Sequence, residues 1–179
     1  MNKKRFIVIL FACVLLLGLC TGCGKEKKIA EEHATEFSEA ITTGDMKKVN
    51  QTVFGYDENA EKPEEGILQE IFKKDTVEVE KITGDEIIYK VEAPDLGSFF
   101  ADAEKTERKI TREFFNQYLE NADTVNMTVK IPYSVDDEDH LKVNYQNEEF
   151  INAITGGLVN GYKEIYQEML DQLRGEEEE

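Results

Sequence analysis

Reactive side chains are scarce in this chain, which carries two histidines, His33 and His140, and three cysteines, Cys13, Cys20 and Cys23. Two histidines cannot build a multi-histidine metal site. Ser38, Ser98 and Ser134 lie outside any Gly-x-Ser-x-Gly turn, so a base-activated nucleophile has no support. His33 falls at the margin of an apolar helical stripe, where an imidazole facing a cavity could act as a general base near neutral pH. A half-buried histidine with an ordinary hydrogen-bond partner is the plainer reading, because no single carboxylate stands out among 38 acidic residues.

Asp136, Asp137, Glu138 and Asp139 gather hard oxygen ligands beside His140, a composition that could hold calcium weakly. The spacing of a calcium loop is missing. Counted from Asp57, the nearest start, Lys62 and Leu68 stand where glycine and the final glutamate belong. A solvated hairpin tip fits the acidic run better, and no metal or other cofactor is implied. Gly157-x-x-x-Gly161 lacks the apolar surroundings of a membrane dimer motif, since Asn160, Lys163 and Glu164 flank it, and reads as a packing device.

Lys3, Lys4 and Arg5 precede an apolar run from Phe6 to Leu19, and Thr21-Gly22-Cys23 follows. The run is too short for a spanning helix, which needs about 20 apolar residues, and suits a signal peptide. Leu19-Cys20-Thr21-Gly22-Cys23-Gly24 resembles the lipobox of bacterial lipoproteins, with Cys20 where that family most often has leucine. The resemblance covers the first two dozen residues. It implies cleavage before Cys23, a diacylglyceryl group on that thiol, and a lipid-anchored domain on the outer face of a cell membrane of Gram-positive type. An ordinary secretory leader followed by a chance cysteine is the alternative. The corresponding division is 1–22 signal peptide, 23–28 lipidated cysteine and short tether, 29–173 a single α+β domain, and 174–179 a disordered acidic tail.

Cleavage there would remove Cys13 and Cys20, and lipid would occupy Cys23. Disulfides, thiolate metal sites and cysteine nucleophiles are then excluded. Removing the three basic residues of the leader takes the formal charge from −17 to −20. Such a surface repels nucleic acid and favours cationic peptides, basic protein faces or metal ions. Lys25, Lys27 and Lys28 form a small basic collar beside the anchor, worth about 1 kcal/mol each near anionic headgroups, or are ordinary solvated lysines.

The supporting elements follow from periodicity. Ala30, Ala34, Phe37, Ala40 and Ile41 predict a helix ended by Gly44, and Asp45 caps a second carrying Met46, Val49 and Val53. A loop over 54–65 leads to a short helix with Ile67, Leu68, Ile71 and Phe72. Val77 and Val79, the turn Gly84-Asp85, then Ile87, Tyr89, Val91 and Ala93 make a β-hairpin. A long amphipathic helix from Leu96 to Tyr118 follows, with a break near Glu104 to Thr106, where its stripe is weakest, as the alternative. A second hairpin alternates from Val125 to Val135 and returns through Leu141, Val143 and Tyr145; Pro132 demands an edge or a bulge. Asn147 caps a final helix that Gly156, Gly157 and Gly161 should kink or bring close to another backbone.

This order predicts an α+β domain, an antiparallel sheet of two hairpins packed by N-terminal, central and C-terminal helices. Phe37-Ser38-Glu39-Ala40 followed by Gly44-Asp45, with that order, resembles the cystatin or NTF2-like group; a β-lactamase-inhibitor-like helix-hairpin repeat is the alternative. The functional expectation is a non-enzymatic, membrane-anchored binding module for cationic peptides or proteins. An NTF2-like cavity using His33, for a small molecule or catalysis, is the second.

Overall fold

The computed structural model describes residues 24–54 and 66–176. The leader, Cys23 and the 55–65 part of the expected loop lie outside that range. The described chain is α+β, with seven helices and one four-stranded antiparallel sheet of order β1-β2-β3-β4. Helix α1 is described over 24–42; α2 is Met46–Phe54 and α3 Ile67–Phe72. Strands β1 (Thr76–Ile82) and β2 (Glu86–Pro94) form the first hairpin. Helices α4 (Phe99–Lys105) and α5 (Arg112–Asn121) separate it from β3 (Thr124–Val135) and β4 (Leu141–Val143), and α6 (Glu148–Ile154) and α7 (Leu158–Glu176) complete the chain. No helix among the described residues is long and apolar enough to cross a membrane.

Residues 24–28 belong to α1, and α7 runs through Arg174 to Glu176; residues 177–179 of the expected tail lie outside the described range.

The strands turn one apolar face to the helices. Tyr89, Val91 and Ala93 of β2 and Val129, Ile131 and Tyr133 of β3 are buried, while alternate residues such as Lys90, Thr128 and Lys130 are not. A bulge between Val79 and Lys81 resets the period, so that Ile82 is buried. Phe37 of α1 packs on Tyr145 and Phe150 at ring distances of 4.0 and 5.9 Å. Full burial of each such side chain contributes about 1.5–3 kcal/mol. Pro132 pairs with Glu86 where β2 begins, and β4 joins only from Tyr133, so Pro132 meets no demand for an amide donor.

Helix ends follow local chemistry. Gly44, at φ +68°, ends α1 in a Schellman motif, with Asp45 N–H donating to the Ala40 carbonyl at 2.8 Å and Gly44 N–H to Ile41 at 2.9 Å. Asn147 caps α6 by accepting from Phe150 N–H. The central segment is two helices, broken after Lys105, within the 104–106 stretch where the stripe is weakest. Glu107, at φ +52°, ends α4 with the same pair of bonds, from Arg108 to Ala103 and from Glu107 to Glu104, and Thr111 caps α5 by accepting from Phe114 N–H.

Helix α1 also closes the outer edge of the sheet. The buried Ser38 hydroxyl donates to the Val77 carbonyl, and Thr42 Oγ1, one turn on, accepts from Val77 N–H at 3.4 Å. Two hydroxyls four residues apart thus substitute for a neighbouring strand. Ser38→Ala leaves that carbonyl without its donor and is expected to cost about 1–3 kcal/mol, against less than about 0.5 for the exposed Ser134→Ala, as read by urea unfolding. Equal midpoints for the two variants would show the bond to be dispensable.

Candidate functional site

His33 is half-buried on α1, its ring 5.8 Å from that of Tyr145. Burial lowers its pKa, opposed by Glu36 and aided by Lys48, so the imidazole is neutral at physiological pH. Tyr89, Tyr145, Phe37 and Phe150 fill the layer beneath it, and a 2.8 Å hydrogen bond joins the two tyrosine hydroxyls. His140 is exposed at the β3–β4 tip, 3.4 Å from Asp136 and 3.7 Å from Glu138. There Asp136 Oδ1 accepts from the His140 and Glu138 amides, which hold its carboxyl below the ordinary range and make it a turn-former. No group of three or more potential ligands among the described residues could hold a metal ion.

A second group of carboxylates lies where the two hairpins meet the central helices. Pro94 ends β2, and Asp95 N–H donates to the Asp123 carbonyl at 2.7 Å, tying the exit of β2 to the entry of β3. Asp95 Oδ1 accepts from Gly97 N–H and turns the chain into α4, which presents Asp102 one turn beyond Ser98. From the other side, α5 brings Tyr118 and Asn121. These residues with Ala122 line a cleft of about 330 Å³ that holds three aspartates, Asp95, Asp102 and Asp123, and no basic side chain among the described residues. Tyr118 Oη donates to Asp102 at 2.9 Å. Burial and the neighbouring carboxylates push that phenol up to about 12, so it keeps its proton.

Tyr118 is shared with an aromatic cluster. Its ring meets Phe99 edge-on at 5.2 Å, Phe99 meets Phe100 at 5.2 Å, Phe100 meets Tyr162 at 5.6 Å, and Tyr162 stacks on Tyr166 at 6.3 Å. Phe99 is buried, whereas Tyr162 and Tyr166 are 56% and 53% exposed, so the track climbs from core to solvent along α7. Arg108 lies 5.4 Å over the Phe114 ring, already placing a guanidinium on this cluster.

Gly156 and Gly157, in the turn between α6 and α7, and Gly161 of α7 pack against the 94–97 segment. Leu96 N–H donates to the Gly156 carbonyl at 2.7 Å, and Gly161 lies against Gly97 so closely that a Cβ there would sit 2.0 Å from the Gly97 oxygen. The Gly157–Gly161 spacing is therefore used for packing against the 94–97 segment. At the opposite end of the sheet, Lys25 pairs with Asp139 at 2.6 Å. Strand β3 runs from that tip to Thr124, beside Asp123, a separation of about 40 Å at 3.3 Å per residue.

No family model matches the chain, and comparison with curated proteins and with solved structures finds no match. Of the residues singled out by chemistry type, Ser38 is structural, Ser98 alone lines the acidic cleft, and Cys23 lies outside the described residues. Asp95, Asp102 and Asp123 carried no signal of their own in a sequence with 38 acids.

Proposed function

We propose that this chain is the precursor of a lipoprotein anchored at Cys23, whose domain is a non-enzymatic binding module for cationic peptides or proteins. The observation that supports the reading is the cleft of Asp95, Asp102 and Asp123, three carboxylates with no basic residue in the lining. Lysine or arginine groups are the complementary ligands. An anchor beside Gly24 would present this cleft at the far end of the sheet from the bilayer. A small four-stranded antiparallel sheet with helices on one face is compatible with the cystatin or NTF2-like group.

Binding of an oligolysine probe, followed by calorimetry at low and high ionic strength, tests the module. The affinity is expected to fall with salt, because screening weakens exposed charge pairs. Changing Asp95, Asp102 and Asp123 together to Asn should weaken binding by about tenfold or more, equivalent to ~1.4 kcal/mol. The same charge removed at Glu78, Glu80 and Asp137 should matter little. Equal losses from both triple variants would mean that the general negative field, and not the cleft, attracts the probe. Loss of fatty-acid labelling in Cys23→Ala tests the anchor separately.

A further inference from the structure

The two outer edges of the sheet are finished differently. Along β1 the Val77 backbone is met by the hydroxyls of Ser38 and Thr42. Along β3 the pairing with β4 stops at Tyr133, and among the described residues no strand lies beside Thr124 to Ile131. Parity decides which groups are left there. Asp95 N–H donates to the Asp123 carbonyl and Tyr133 N–H to that of Asp85, so the odd-numbered residues between, Val125, Met127, Val129 and Ile131, bond to β2. The N–H and C=O groups of Thr124, Asn126, Thr128 and Lys130 therefore point outward, and no hydrogen bond from another described residue reaches them. At 3.3 Å per residue this bare edge is about 20 Å long, and an unpaired edge is a template for a further strand.

We infer that this edge pairs with the same edge of a second copy of the chain, joining the two sheets into one continuous antiparallel sheet about a twofold axis at Met127. Register and charge select this occupant. Centred on Met127, Thr124 stands opposite Lys130 of the second copy and Asn126 opposite its Thr128. All the outward-facing residues then form hydrogen-bonded pairs, two bonds to a pair and about eight in all. Centring on Thr128 would instead set Pro132, which has no N–H, opposite Thr124. On the helix side Val125 meets Val129 and Met127 meets its own copy, while polar side chains meet on the other face, and such cross-strand pairs favour a sheet. No carboxylate lies between Thr124 and Val135 in a chain with 38 acidic residues, so the edge adds no acidic repulsion of its own. Lys130 and its counterpart lie about 20 Å apart, beyond the screening length of about 8 Å at physiological salt. A cationic peptide would meet only Lys130 among the charges of this edge, so the inference is independent of the cleft reading.

Sedimentation equilibrium of the full chain in a non-ionic detergent, with hydrogen exchange followed amide by amide, tests this pairing. A monomer–dimer equilibrium is expected that tightens about tenfold or more from low to high ionic strength, because salt screens the repulsion between two chains of formal charge −17. As the protein is concentrated, exchange at the amides of Thr124, Asn126, Thr128 and Lys130 should slow together by about tenfold or more. Asn126→Pro removes an outward N–H but no ladder bond of the single chain, and should weaken the dimer about tenfold or more. Asn126→Ala keeps that N–H and should leave the dimer within about threefold of wild type. Should the proline variant misfold by circular dichroism, the wild-type exchange pattern decides alone. A monomer at every concentration, or a dimer in which those amides still exchange freely, overturns the inference. So does their protection in a monomer by an added peptide of alternating threonine and valine without self-association, which would assign the edge to a foreign strand.

Discussion

Gly161→Ala is expected to destabilise this protein by about 3 kcal/mol or more, although alanine normally favours a helix interior over glycine by up to ~1 kcal/mol. The sign is decided by a distance. A Cβ at 161 would stand 2.0 Å from the Gly97 carbonyl oxygen and 3.0 Å from its carbon, and both belong to backbone that cannot rotate away. Gly156→Ala meets the Pro94 oxygen at 1.8 Å and adds the strain of φ +59°, worth about 1–2 kcal/mol for a side-chain-bearing residue. Gly84, where a Cβ would meet nothing within 4 Å, is the control, and its alanine variant should stay within about 0.5 kcal/mol of wild type. Urea unfolding should show the Gly161 midpoint lower by about 1–2 M. A midpoint at or above that of wild type would mean that α7 does not rest on the 97 backbone as described. Because the same contact holds the 94–97 segment, weaker oligolysine binding should accompany it.

Asp75→Asn is expected to stabilise the protein at neutral and alkaline pH. Asp75 lies in the turn between α3 and β1, 3% exposed, and neither carboxylate oxygen has a hydrogen-bond partner among the described residues. Burial pushes its carboxyl from 3.8 up to about 8. The folded state then keeps a proton that the unfolded chain releases, so this group's contribution is intact below pH 3.8 and is lost as pH rises through about 8. The loss is about 1.4 kcal/mol per pH unit within that window, reaching ~4 kcal/mol near pH 7. Asparagine cannot ionise. Its advantage over wild type should therefore be small near about pH 4, grow by a few kcal/mol toward neutrality and level off above about pH 8. Unfolding free energies of both proteins across that range decide it, and parallel pH profiles would sink the assignment.

Much of the architecture was legible because the relevant signals are local. The alternation from Val125 to Val135 specifies a half-buried strand, Gly84-Asp85 a turn, and Asn147 a cap, each through residues within a few positions of one another. Gly44 marked the end of α1 for the same reason, since glycine adopts positive φ without a Cβ clash. The break after α4 showed only as the weak stripe at 104–106, because Glu107, not glycine, occupies the left-handed position there. The bulge after Val79 was invisible, as nothing in Glu80 or Lys81 announces a change of register.

The site was less legible. His33, prominent as one of two histidines, sits over a filled aromatic layer, while the cleft is built from aspartates indistinguishable in type from the chain's other acids. Asp95 and Asp123 are 28 positions apart, and the hydrogen bond between their backbones exists only because β2 and β3 pair in a particular register. Composition and periodicity thus specified the helices, the hairpins and the acidic character, since each depends on the intrinsic preferences of nearby residues. Which carboxylates converge, which glycines face a foreign backbone and which aromatic stripe stays uncovered depend on contacts between distant segments, and those arise only when the sheet and helices pack.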